Sequence, residues 1–297
     1  MAQRRTDLAV EAHQLWQEGA GETALAGVRS EESERRGFLV NTVTVSTSEA
    51  AQALGKPQGV YVTIELDGLL RREEGAFQRA AEAVAEALRP LLPKEGPALV
   101  IGLGSRAVTP DLIGPLTVDH LLVTRHLVEQ VPQHFGHLRP VAAAAPGVLA
   151  STGMESSLVA QALAGELRPA CVIAVDALAS RSLDRLCRTV QLSDTGVVPG
   201  SGVGNHRVPL NRETLGVPVL TVGAPTVVDG ATLALDLLER AGRTGAERED
   251  LPGGEDFFVT PREVDLRVAD LSKVLGYAIS LALNPSLSVD DLTMLLE

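Results

Sequence analysis

The chain has 297 residues, a formal net charge of −12 and a sequence pI near 5.0, with 45% hydrophobic and 3% aromatic residues. Such acidity, with no Lys/Arg cluster interleaved with aromatics, argues against a nucleic-acid binder, and no apolar stretch approaches the about 20 residues of a membrane span. The length suits one large α/β domain or two smaller ones, no early run of signal-peptide type is seen, and a soluble cytoplasmic protein is expected; Cys171 and Cys187 form no C-x-x-C and read as reduced structural thiols.

Residues 8–16 (LAVEAHQLW) place Leu8, Glu11 and Leu15 at helical spacing, with Thr6 or Asp7 as the cap. Residues 19–37 are polar and read as an exposed loop. Residues 38–46 (FLVNTVTVS) alternate as a strand does, a short helix over 48–54 ends at Gly55, and 60–66 (VYVTIEL) form the next strand. An Ala-rich helix over about 73–92 stops at Pro93. The apolar run 98–103 has the length of a strand buried on both faces; Gly102 and Gly104 then turn the chain, and Thr109-Pro110-Asp111 reads as a helix start capped by Thr109. Residues 116–131 show helical spacing, 138–145 read as a strand, and Thr152 with Glu155 fits a capping box. The run 170–175 (ACVIAV) is a second buried strand that delivers Asp176 at its end, and a short helix is expected before a strand over 189–192. A glycine-rich loop over 194–206, a strand over 217–222, a helix over 226–240, a surface loop over 241–257 and a final long helix capped by Thr260 complete the chain. Strands alternating with helices predict an α/β fold, a central and mostly parallel sheet flanked by helices on both faces.

Asp111 and Asp176 each fall at the carboxyl end of a predicted strand, the edge at which open α/β sheets bind ligands. Two carboxyls in a partly apolar cleft do not both ionise cheaply, so one keeps its proton as an acid while the other activates water, a pairing suited to peptide hydrolysis. The same positions also suit a helix cap and a loop-starting acid. Gly102 to Ala107 fits G-x-G-x-x-A, but the acid expected about 20 residues on, at the end of a second strand, is not evident, since the next candidate segment ends in Thr124-Arg125; a nucleotide-binding oxidoreductase stands as the alternative. Asp194-Thr195-Gly196 spells the triplet of pepsin-like proteases in a chain that is not all-β, leaving Asp194 as a candidate for the cleft. Gly200, Ser201, Gly202 and Gly204 form a loop able to bind a substrate backbone or an anion. His120, His126, His134 and His137 crowd one region without H-E-x-x-H or a Cys partner, so exposed or helix-capping roles are expected, and neither a metal nor a cofactor.

The motifs RTDLAVEA (5–12), LGKP (54–57), VTPDLIGPL (108–116), LLVTRHL (121–127), PGV with STGMES (146–156), AVDALASR (174–181), SDTGVVPGSGVGN (193–205) and LGVPVLTVGAPTVVDG (215–230) occur in order. Together they resemble the germination protease family of endospore-forming bacteria. The resemblance implies a fold similar to hydrogenase-maturation endopeptidases, with Asp111 and Asp176 as the essential pair. It further implies an atypical aspartic-type endopeptidase acting on small acid-soluble spore proteins in the spore core, made as a self-processing zymogen and assembled as a homotetramer. Family members cut after an acidic residue that precedes an aliphatic residue and Ala. Asp7-Leu8-Ala9 looks like such a site, with residues 1–7 as a short propeptide and 8–297 as a single peptidase domain. Where the family usually has Asn and Trp after the first glycines, this chain has Ser105-Arg106-Ala107. A non-catalytic homologue that binds acidic proteins is a further alternative.

Overall fold

The structure, a computed structural model, describes residues 4–21, 24–200, 207–243, 245–254 and 257–296. Its strands are β1 (Val28–Arg35), β2 (Phe38–Val45), β3 (Gly59–Glu65), β4 (Ala98–Gly102), β5 (Val141–Ala144), β6 (Cys171–Ala179), β7 (Thr189–Ser193), β8 (Val219–Asp229) and β9 (Phe258–Val259). They form one sheet in the order β1-β2-β3-β7-β8-β6-β4-β5, with β9 paired to β8. The expected α/β architecture is present, and its sheet has two halves. β8, β6, β4 and β5 run parallel, whereas β1, β2, β3 and β7 pair antiparallel and β7 joins the halves by an antiparallel pairing to β8.

Local chemistry explains the antiparallel half. Arg36 and Gly37 connect β1 to β2 with φ of 52° and 83°. A two-residue turn with both central residues left-handed returns the chain directly beside itself. Residues 19–37 are therefore not all loop. β1 (VRSEESER) escapes a search for alternating apolar residues because an edge strand exposed on both faces needs none.

β6 and β8 also run past their predicted ends. They pair with each other as far as Ala179 and Val227, through a bulge after Leu178. Asp176 is thus inside a strand, no helix follows it directly, and the next helix after β8 starts at Gly230 instead of near 226. Several expected caps are not formed. The helices Ala9–Ala20, Ile113–Asp119, Ser156–Leu167 and Val264–Leu283 begin without a side-chain cap. The Thr260 hydroxyl instead donates to the Thr226 carbonyl oxygen at 2.9 Å, tying β9 to β8. A separate helix, Val289–Leu296, follows the long one.

The two faces of the sheet are packed differently. On one, a single cluster crosses its width from Val40 and Ile64 through Leu192, Val222, Ile173 and Val100 to Val141, under the helices Ala76–Leu88 and Val264–Leu283. Cys171 and Cys187 are free thiols within it. On the other, the core is split. One cluster packs Leu99, Ile101, Val172 and Ala174 under the helix Ser156–Leu167. A second packs Val43, Val45, Tyr61 and Leu178 against Leu8 and Val10. Side chains alternate along a strand, so Ala174, Asp176 and Leu178 of β6 share a face, and Asp176 falls at the seam between the two clusters. Among the described residues no helix is long and apolar enough to cross a membrane.

Candidate active site

The seam becomes a site because β4 is shorter than β6. β4 ends at Gly102, opposite Val175, while β6 continues through Asp176 to Ala179. The chain leaving β4 folds over this step, and three glycines let it lie close. A side chain on Gly104, whose φ is +116°, would collide with the Asp111 carbonyl oxygen. One on Gly102 would meet the Gly114 backbone, and one on Gly114 would strike the Leu103 backbone and the Val175 carbonyl oxygen. The glycines of the G-x-G-x-x-A pattern are therefore spent on chain packing. The turn leads into a short 3-10 segment, Thr109–Asp111, and not into a phosphate-facing helix start.

Asp111 sits on that segment, and its Oδ2 accepts the Ser105 backbone N–H at 2.6 Å. A backbone donor is supplied by almost any residue, so this contact does not depend on the side chains of Ser105 and Arg106. The Arg106 guanidinium donates to Asp119 at 2.8 and 2.7 Å. Asp176 is 6% exposed, and its Oδ1 accepts the Ala177 N–H at 2.9 Å. Both carboxyls line one cavity of about 420 Å³, with Leu103, Val108, Pro110, Val148, Leu178 and Phe258 as its apolar wall.

Burial pushes the Asp176 carboxyl well above the usual carboxylate range. The charges of Asp111 and then Asp7 push the same way, while the Ala177 N–H and Arg207 oppose them. Burial also raises Asp111, against the Ser105 N–H and again Arg207. Two carboxyls held this way favour sharing one negative charge over carrying two.

The other candidate residues are divided. Gly200 lines the cavity; Ser201, Gly202 and Gly204 lie outside the described residues. Asp194 is not brought to the cavity: its Oδ1 accepts the Val60 N–H at 2.8 Å, closing the start of β3 onto the end of β7. His126, His134 and His137 are exposed. Among the described residues no three His, Cys, Asp or Glu side chains are grouped to hold a metal.

Asp7 lies against the end of β6. Its N–H donates to the Ala179 carbonyl oxygen and its Oδ2 accepts the Ala179 N–H, each at 2.8 Å. Gln191 donates to the Asp7 carbonyl oxygen at 3.0 Å, and the Lys56 ammonium donates to that of Thr6 at 3.0 Å. Leu8 is fully buried. Thr6 and Asp7 do not cap the helix as expected, since this strand-like pairing occupies the Asp7 carboxylate.

Arg207 is the residue that sequence reasoning missed. It lines the same cavity, and no periodicity or motif marks it in the stretch that follows the glycine-rich loop.

The sequence profile of the germination protease family matches residues 9–250. A germination protease of Caldanaerobacter subterraneus subsp. tengcongensis is 38% identical over 99% of this chain and 98% of its own. One of Clostridium perfringens is 38% identical over 99% of both chains, and one of Bacillus velezensis is 38% identical over 97% of this chain and 95% of its own. A crystal structure of a [NiFe] hydrogenase maturation protease, HycI from Thermococcus kodakarensis, aligns with a TM-score of 0.36 and 16% identity over 65% of this chain and 98% of its own, too loose a likeness to bear on the site. With identities of this extent along nearly its whole length, the chain belongs to the germination protease family of peptidases.

Proposed function

We propose that the chain is an endopeptidase in which Asp111 and Asp176 hydrolyse the peptide bond through a water molecule, with no metal or other cofactor. The observation that carries this reading is the convergence of two carboxyls, both with raised proton affinity, in one largely apolar cavity. Asp176 is the more deeply buried and keeps its proton. Asp111, held by the Ser105 N–H, carries the charge. In this scheme the Asp111 carboxylate takes a proton from water as the water oxygen attacks the carbonyl carbon, and Asp176 gives its proton to the carbonyl oxygen. When the C–N bond breaks, Asp111 returns its proton to the leaving nitrogen, and Asp176 regains one from a hydroxyl of the collapsing diol.

The family resemblance extends the proposal to small acid-soluble spore proteins as substrates, in the spore core, cut after an acidic residue before an aliphatic residue and Ala. Synthesis as a zymogen that cuts itself between Asp7 and Leu8, with 8–297 as the peptidase domain, and assembly as a homotetramer belong to the same proposal. Asp7, seated three residues beyond Asp176 along β6, supports that cut, although Leu8 must leave the core for the bond to reach the carboxyls. Mass spectrometry of the purified chain over time, beside Asp111→Asn and Asp176→Asn, tests it. The parent sheds residues 1–7 and cuts a separate peptide spanning Asp7–Leu8, and neither variant does so. Near-normal cutting by either variant refutes the paired-carboxyl mechanism.

A further inference from the structure

Among the described residues lining the cavity, Arg207 is the one basic side chain. Its charge is felt by both carboxyls, yet its ion-pair partner is Glu155, at 3.9 Å and with both side chains partly exposed. A partly exposed pair at that separation contributes little and is readily exchanged. A substrate carboxylate, in contrast, enters a space that already holds two acids and an apolar wall. It is repelled unless a cation meets it, and a guanidinium meets a carboxylate with two parallel hydrogen bonds. The wall of Val108, Pro110, Val148, Leu178 and Phe258 then suits an apolar side chain beside the acidic one.

We propose that Arg207 is the specificity-determining residue of this site, releasing Glu155 to bind the acidic side chain on the amino-terminal side of the cut bond. The proposal rests on the endopeptidase reading, and its test separates the two. The full chain is offered the peptide Arg-Arg-Thr-Asp-Leu-Ala-Val-Glu-Ala, which copies residues 4–12, and the same peptide with Asn in place of Asp. Cleavage is followed as kcat/KM, and binding by fluorescence anisotropy on an Asp176→Asn background. The parent prefers the Asp peptide by roughly tenfold or more, as a charge-assisted pair provides. Arg207→Met brings the Asp/Asn ratio to about one, and Arg207→Lys restores part of it. Glu155→Gln, which removes the competing carboxylate, lowers KM for the Asp peptide alone and is the independent check if Arg207→Met does not fold. Cleavage with an unchanged Asp/Asn ratio in folded Arg207→Met overturns the assignment and leaves the endopeptidase standing. Arg207-dependent binding without cleavage by the parent overturns the endopeptidase and leaves the recognition. Neither binding nor cleavage overturns both.

Discussion

Burial of Asp176 ties stability to pH. Because burial raises its affinity for a proton, the folded chain binds more protons than the unfolded one between the ordinary value of 3.8 and the raised native value. Stability therefore falls as pH rises through that window, and the penalty persists above it. Asp176→Asn carries no such penalty and keeps an oxygen to accept the Ala177 N–H. The variant is expected to melt at a higher temperature than the parent at pH 7, with the gap closing as pH falls toward 3.8; a gap unchanged between pH 4 and pH 7, followed by calorimetry, refutes this. The strands that bring Asp111 and Asp176 to one cavity were legible in the sequence because each shows a short, wholly apolar run, although Asp176 lies inside its strand and not at its end. Arg207 was not, because what sets it apart is a cavity assembled from the chain that leaves β4 and from β6, β8 and β9.

At the scale of elements, the step between β4 and β6 depends on Gly114. A Cβ there meets backbone atoms of Leu103 and Val175, which no side-chain rotation can relieve. Gly114→Ala is expected to cost about 1–3 kcal/mol in chemical denaturation. It also displaces Asp111, so kcat falls more than KM changes; wild-type kcat and stability together would show that the close approach has no such role. The strands with apolar runs were legible, as were the helix Ser48–Leu54 and its glycine stop. Thr260 misled because a hydroxyl before an apolar run has the same local signature whether it caps a helix or bonds a neighbouring strand, and Thr152 because its hydroxyl turns instead to Val148 and Met154 beside it. The longer β6 and β8 were hidden for a related reason: their last residues are strands through pairings, β6 with β8 and β8 with β9, that no local run announces.

In the molecule as a whole, the N-terminal segment is fastened into the fold. Glu11 is fully buried. Its carboxylate accepts from the Arg181 N–H at 2.6 Å, the Ser182 N–H at 3.1 Å and the Thr6 hydroxyl at 2.5 Å, with Arg185 at 3.6 Å. Glu11→Ala leaves those partly buried donors without their acceptor, and a loss of about 1–3 kcal/mol is expected from the unmet hydrogen bonds. An unfolding midpoint within error of the parent's would refute this. The sheet ends on a different principle. Its outer strand β1 is exposed along nearly its full length and carries Glu31, Glu32 and Glu34. A second copy aligning its own β1 there in parallel register would set each of these carboxylates against its twin across the new ladder, which disfavours the in-register stacking that open edges invite. The rim that resembles an unfinished sheet thus carries its own charge penalty against in-register, fibre-like stacking of copies.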